Sequence, residues 1–243
     1  MRVGSMDRRI AYFLNVCVVG KINILISGGT GTGKTSFLNA LLGFVPKGER
    51  LVTIEDTPEL QIHHANSVRM QTKPASPASA AVGARDLVAN ALRMRPDRIV
   101  IGEIRKAEAF DFLQAMNTGH EGSFSTIHAN SPREALTRLE NLCMTAGVDL
   151  PLLAIRRQIA SAVDLVIQLK RFRSGKRRIL LISEITGMEG ETVTTQDLFR
   201  FITQSTEFKA EGEIGEFEAT GLPPKLTEKL KEMGLEFPPN YFA

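Results

Sequence analysis

The sequence has no tryptophan and only two tyrosines, so it lacks the aromatic platforms on which single-stranded nucleic acid stacks. It has two cysteines, Cys17 and Cys143, far apart in the chain and with no second thiol near either. That spacing does not support a zinc site, and two buried, reduced thiols are expected. No apolar run approaches a membrane-spanning length, and the N-terminus has no long hydrophobic region of the signal-peptide kind. A cytosolic protein is therefore expected, reaching a membrane only through partners. Neither sign of charge dominates: 30 basic and 27 acidic residues give a formal charge of +3, too near balance to imply nucleic acid. Internal repeats and low-complexity tracts are also missing; residues 74–84 are the one small-residue stretch and read as a mobile loop.

What is there begins with apolar content sufficient for a full core. At 243 residues and 43% hydrophobic composition, the chain suits one large domain, or one domain with a small addition. Residues 28–35 read Gly28-Gly29-Thr30-Gly31-Thr32-Gly33-Lys34-Thr35, a complete G-x-x-x-x-G-K-[ST] phosphate loop. The apolar run Ile22-Asn23-Ile24-Leu25-Ile26-Ser27 leads into it. Phe37, Leu38, Leu41 and Leu42 follow at helical spacing, and Gly43 and Pro46 end that helix. Glycines let the backbone pass close enough for successive N–H groups to face phosphate oxygens, and the helix adds its positive end. A nucleoside triphosphate is the expected ligand, held by Gly28, Gly29, Thr30, Gly31, Thr32, Gly33, Lys34, Thr35 and Ser36. Lys34 would reach the β- and γ-phosphates, and the Thr35 hydroxyl would bind Mg²⁺.

Periodicity predicts a helix over residues 6–20, a strand over 50–54, a helix over 85–94, a buried strand over 98–102, a helix over 107–117 and a strand over 123–127. Another helix opens at Ser131, the expected N-cap, with Pro132 in the first turn and Glu134 as the capping-box acid. Such alternation predicts an α/β fold, a mainly parallel sheet covered by helices, with ligand chemistry at the carboxyl ends of the strands. Two strand-like runs flank Arg173-Ser174-Gly175-Lys176 and predict an antiparallel hairpin that extends the sheet edge. From Glu189 onward the chain is more polar and glycine-rich, with a short helix near residues 224–233 and an extended tail at Pro238-Pro239. The reading divides the chain into a core over residues 1–187 and a small C-terminal appendage over 188–243.

Hydrolysis of a bound triphosphate needs a metal partner and a group that orients or deprotonates water. Three segments offer them. Thr53-Ile54-Glu55-Asp56-Thr57-Pro58-Glu59-Leu60 places three carboxylates just past a strand, where a cation would offset their repulsion. In Asp97-Arg98-Ile99-Val100-Ile101-Gly102-Glu103-Ile104-Arg105, an apolar strand delivers Glu103 to its end, the Walker B arrangement with glutamate as the terminal acid. Ser125-Thr126-Ile127-His128-Ala129-Asn130 ends a strand in His128, which could sense or hydrogen-bond the γ-phosphate.

Residues 28–36, 54–59, 102–105 and 119–130 resemble the Walker A, Asp-box, Walker B and His-box of the secretion-superfamily ATPases. These are RecA-like hexameric motors of type II and type IV secretion and of type IV pili. Ala91-Leu92-Arg93-Met94-Arg95-Pro96-Asp97 and Gln114-Ala115-Met116-Asn117-Thr118-Gly119-His120 are similar to the CpaF branch, which powers Tad pili. Asp197-Leu198-Phe199-Arg200-Phe201 and Phe217-Glu218-Ala219-Thr220-Gly221 resemble the C-terminus of that branch. The resemblance implies ATP and Mg²⁺ as cofactors. It gives Glu55 and Glu59 the lytic water, Thr35 and Glu103 the Mg²⁺ shell, and His128 the coupling of γ-phosphate to movement. It implies a homohexamer on an inner-membrane platform protein, at the cytoplasmic face of a bacterial membrane. The family also has an N-terminal half that closes over the nucleotide and supplies arginines in trans. Only 27 residues precede Gly28, so the expectation is a fragment of such a motor or a short version of one.

The leading expectation is an ATP-hydrolysing motor subunit for pilus assembly or protein secretion. One alternative is a P-loop helicase or DNA translocase, which the scarce aromatics and absent nucleic-acid modules oppose. Another is a nucleotide-binding fragment that turns over little without the trans-acting half. A guanine-selecting Asn-Lys-x-Asp segment is missing. Arg69, Arg93, Arg95, Arg105, Arg133 and Arg138 flank the motifs; some could bridge subunits or phosphates, while the usual role of each is a solvated or paired surface residue. Lys170, Arg171, Arg173, Lys176, Arg177 and Arg178 crowd the hairpin; the favoured reading is a solvated edge that blocks aggregation, and the alternative is binding to an acidic partner. His63 and His64 are neighbours that point opposite ways in an extended segment, which opposes a metal role.

Overall fold

The computed structural model describes residues 4–203 and 214–243; residues 1–3 and 204–213, the first in the expected core and the second in the expected appendage, lie outside them. Its centre is four strands that are buried because helices cover both of their faces. β1 (Ile24–Gly28), β2 (Leu51–Glu55), β4 (Arg98–Ile101) and β5 (Phe124–Ile127) are buried throughout, as parallel strands between helical layers must be. β3 (Ser67–Gln71) adds a half-exposed parallel edge, and β6 (Leu165–Arg171) runs parallel to β1 on its other side. Beyond β6 the direction alternates through β7 (Arg177–Glu189), β8 (Thr192–Thr203) and β9 (Gly215–Ala219). One nine-stranded sheet results, ordered β3-β2-β4-β5-β1-β6-β7-β8-β9.

Side-chain alternation along each strand divides the core in two. On one face Ile24, Ile26, Leu165 and Ile167 meet α1 (Arg8–Val19) and α2 (Lys34–Leu42) through Phe13, Leu14, Phe37 and Leu38. On the other, Leu25, Val52, Ile54 and Val166 meet α3 (Ala84–Ala91), α4 (Glu108–Asn117), α5 (Pro132–Met144) and α6 (Leu152–Ala162). Both cysteines are free and buried. Burial raises both thiols, Cys143 to about 12, so neither is a thiolate at neutral pH.

The expected elements form with shifted ends. The helix read over residues 85–94 is α3 followed by a 3₁₀ turn, Leu92–Met94, which stops at Arg95 ahead of Pro96. Ser131 caps α5 by accepting from the Glu134 N–H at 3.1 Å, while the Glu134 carboxylate takes the Asn130 N–H at 3.0 Å, one residue upstream of a standard box. Residues 74–84, read as a mobile loop, fold back on themselves, with bridges between Lys73 and Val82 and between Ser76 and Ser79. β3 and α6 were not anticipated; the first is a short half-exposed edge and the second follows Pro151 without a capping side chain.

The hairpin β6–β7 does not end the sheet, because β8 and β9 continue it outward. The division at 187/188 falls within β7. After β9, α7 (Leu226–Glu232) and the tail turn back onto α1, where Leu226, Leu230 and Phe242 share one core cluster with Ile10 and Phe13. The tail read as extended is therefore a packed turn, closed by the Tyr241 hydroxyl on the Arg9 carbonyl. Aromatic residues drive it there: Phe237 and Phe242 stand 5.6 and 6.0 Å from Phe13.

Candidate functional site at the carboxyl end of the parallel strands

β1 ends on Gly28, and the chain leaves the sheet there to form the phosphate loop. The loop meets α2 at Gly33, whose φ of 92° is a left-handed conformation that a side chain would strain. The helix then presents the N–H groups of its first turn to the concavity. Lys34 folds back over the loop, its ammonium donating to the Gly28 and Gly29 carbonyls at 2.9 and 3.2 Å. Burial is the main force lowering its pKa; Glu103 opposes that shift and Arg105 adds to it. A cation disfavoured by burial gains most from a nearby anion, which suits a phosphate.

β2 and β4 deliver the acids to the same end. Glu55 is 7% exposed, and its Oε1 accepts from the Glu59 and Leu60 N–H groups, each at 2.9 Å. Its carboxylate thus shapes the turn that carries Glu59. A Cβ at Gly102 would stand 3.2 Å from Glu55 Cγ, so a glycine after β4 lets the Glu55 side chain cross. Glu59 Oε2 accepts from the Thr35 hydroxyl at 3.1 Å. Arg105 donates to Glu103 at 2.7 Å and lies 3.4 Å from Asp56, and that contact with Glu103 raises the guanidinium pKa. Thr35, Glu55, Asp56, Glu59, Glu103 and Arg105 line one cavity of about 70 Å³. Hydroxyl and carboxylate oxygens together suit a small hard cation such as Mg²⁺.

The four residues Thr35, Glu55, Glu59 and Glu103, drawn from three segments, therefore meet in space. His128, at the end of β5, lines a neighbouring cleft of about 640 Å³ with Asn130, Arg133 and Arg138. The segment is still tied to the loop. The Ala129 carbonyl accepts from Ser27 Oγ at 3.4 Å and from Gln168 Nε2 at 3.3 Å, and Thr126 Oγ1 donates to the Gly102 carbonyl at 2.7 Å. His64 Nε2 lies 2.6 Å from the Glu49 carbonyl oxygen, and no metal-binding group of three acids, histidines or cysteines occurs among the described residues.

Two sets of arginines belong to this region that the sequence reading left on the surface. Arg105 bridges the acids; its place two residues after Glu103 was a usable signal. Arg69 supports the turn by donating to the Leu60 carbonyl at 2.9 Å. The hairpin arginines are the second set. β6 is parallel to β1, with Leu169 opposite Gly28, so its end must arrive at the loop. Arg177 Nε accordingly donates to the Gly31 carbonyl at 2.8 Å. Edge protection does not describe a hairpin in the interior of the sheet order.

Among described residues, no helix is long and apolar enough to cross a membrane. A family model described as type II/IV secretion system protein matches residues 1–208. The type IV secretion system protein PtlH of Bordetella pertussis is 43% identical over 175 residues, covering 69% of this chain and 51% of PtlH. VirB11 of Bartonella henselae is 41% identical over 170 residues, covering 69% of this chain and 48% of VirB11. The crystal structure of the VirB11 ATPase from the Brucella suis type IV secretion system, in complex with sulphate, matches with a TM-score of 0.65. It is 35% identical and covers 71% of this chain and 51% of that one. The chain spans about half the length of the curated relatives it matches. A family match through the loop, the acids and most of the sheet, joined to relatives above 40% identity, means that this chain belongs to the type II/IV secretion system protein family.

Proposed function

We propose that the chain is the ATP-hydrolysing unit of a secretion or pilus-assembly motor, of the CpaF type. The observation that carries the reading is the single cavity in which Thr35, at the start of α2, meets Glu59 and Glu103 from two different strand ends. In this reading Lys34 leaves the Gly28 and Gly29 carbonyls for the β- and γ-phosphates, where its charge is no longer opposed by burial alone. Thr35 and Glu103 would hold Mg²⁺, which when bound would polarise the phosphoryl oxygens. Glu59 is the general base, since its carboxylate is exposed and directed to Thr35; Glu55 positions it through the turn. Arg105 exchanges its acidic partners as charge is redistributed. His128 relays the γ-phosphate state through β5 and Ala129 to β1 and β6. The working assembly is a homohexamer on an inner-membrane platform protein, at the cytoplasmic face, without nucleic acid.

Phosphate release measured with this chain and Mg²⁺–ATP tests the reading. Lys34→Ala and Glu59→Gln are each expected to lower turnover by on the order of 10²-fold or more. Glu103→Gln should keep nucleotide binding while turnover falls. Turnover unchanged by Lys34→Ala would overturn the reading.

A further inference from the structure

The hairpin between β6 and β7 sets four cations opposite one another in pairs: Lys170 faces Arg178, and Arg171 faces Arg177. Like charges directly across a strand pair repel, and nothing in hairpin formation requires them. Two of the four are engaged away from the loop. Lys170 stands 5.4 Å from the Phe172 ring centre, while Arg178 donates to the Gly4 carbonyl at 2.7 Å and lies over Phe201. Arg171 and Arg177 instead converge on the phosphate loop. Arg177 Nε is bonded to the Gly31 carbonyl, its Cδ lies 3.2 Å from where a Gly33 Cβ would stand, and Arg171 Nη1 lies 3.5 Å from the Gly31 Cβ position. Both are exposed, and neither makes an ion pair among the described residues. A cleft of about 610 Å³ opens beside them, lined by Thr32, Gly33, Ser36, Phe37, Leu169 and Arg177. Thr35 and the acids mark the metal end of the loop; Ser36 and this cleft mark the other end.

We propose that Arg177 binds the α- and β-phosphates of the nucleotide, with Arg171 beside it, as an arginine supplied by the same chain that carries the phosphate loop. The inference rests on the nucleotide-binding reading above. The anion relieves the repulsion between the paired arginines, and the Gly31 carbonyl holds Arg177 in place until it arrives. Arginine suits the task because its planar fork offers several donors to phosphate oxygens at once. Because the contact lies away from the metal end, it serves ADP as well as ATP.

Titration calorimetry with ADP and with a non-hydrolysable ATP analogue, on the full chain, tests this. Arg177→Ala is expected to weaken both ligands about 10- to 100-fold, Arg177→Lys to recover part of the loss, and Arg177→Gln to recover little. Glutamine can still donate to the Gly31 carbonyl, so recovery by glutamine equal to that by lysine would show a mere prop for the loop and overturn the proposal. Wild-type affinity in Arg177→Ala, with Lys34→Ala losing binding, would overturn it while leaving the nucleotide site intact. A loss confined to the triphosphate would overturn the assignment to the α- and β-phosphates. Unchanged binding in Lys34→Ala would remove the nucleotide reading, and this proposal with it.

Discussion

Glu55 and Glu59 sit on one turn but meet different surroundings. Glu55 is buried and spends one oxygen on two backbone N–H groups; Glu59 is exposed and accepts from the Thr35 hydroxyl. Stability and turnover should therefore separate between them. Glu55→Ala leaves the Glu59 and Leu60 N–H groups without their acceptor and is expected to lower unfolding free energy by about 1–3 kcal/mol. Glu59→Ala should stay within about 0.5 kcal/mol. Urea denaturation followed by far-ultraviolet circular dichroism measures both, and equal losses would contradict the assigned roles. The carboxylates and the loop were legible as residues because strand, glycine run and terminal acid are local patterns. Which acid shapes the turn was not, since that depends on where Oε1 lies relative to backbone N–H groups four and five residues later.

At the scale of elements, the junction of α6 and β6 holds a partly buried acid. Asp164 accepts from the Asn23 N–H at 2.7 Å and from Lys229 of α7 at 3.3 Å, and Lys229 also faces Glu121. Burial nevertheless raises the Asp164 carboxyl above its ordinary value, with Glu121 adding to the rise and Lys229 and the Asn23 N–H opposing it. Burial raises nearby Glu184 too, although it accepts from the Lys225 and Leu226 N–H groups. For a raised carboxyl the folded chain keeps its proton longer than the unfolded chain does. Its contribution to stability is complete below the unfolded value and is lost as pH rises through the folded one. Asp164→Asn keeps an acceptor for Asn23 and removes the titration. The melting temperature of Asp164→Asn relative to wild type is expected to climb as pH is raised from about 3.5 towards neutrality; a constant or falling difference would refute the sign. The same junction shows the limit of local pattern. The strand character of residues 165–171 was readable from the sequence, but its parallel pairing with β1, which carries Arg171 and Arg177 to the phosphate loop, is a non-local event.

For the whole molecule, the C-terminal segment decides how many units unfold. Polarity and glycine after Glu189 suggested a separate addition, because the outer strands have only one covered face. Yet β8 contributes Leu198 and Phe199 to the cluster that holds α1 and α2, and Phe199 lies 5.1 Å from Phe13 and 5.9 Å from Phe242. Phe242→Ala is expected to cost about 3 kcal/mol and to shift one cooperative transition for the entire chain. A transition that splits, with the larger part unmoved, would instead mark an independent C-terminal unit.

The sequence by itself determined the phosphate loop, the alternating α/β order and the acids at strand ends, since each is written in neighbouring residues or in a short period. Tertiary structure alone decided that Thr35, Glu59 and Glu103 share a cavity, that Glu55 braces the turn, that the basic hairpin reaches the loop, and that the last residues close over α1. The shared cavity and the arrival of the hairpin depend on strand order and register across the sheet, which arise from packing both its faces at once and have no short-range signature in the chain. The Glu55 brace is decided by where a buried side chain is held relative to nearby N–H groups, and the closing tail by aromatic packing on α1.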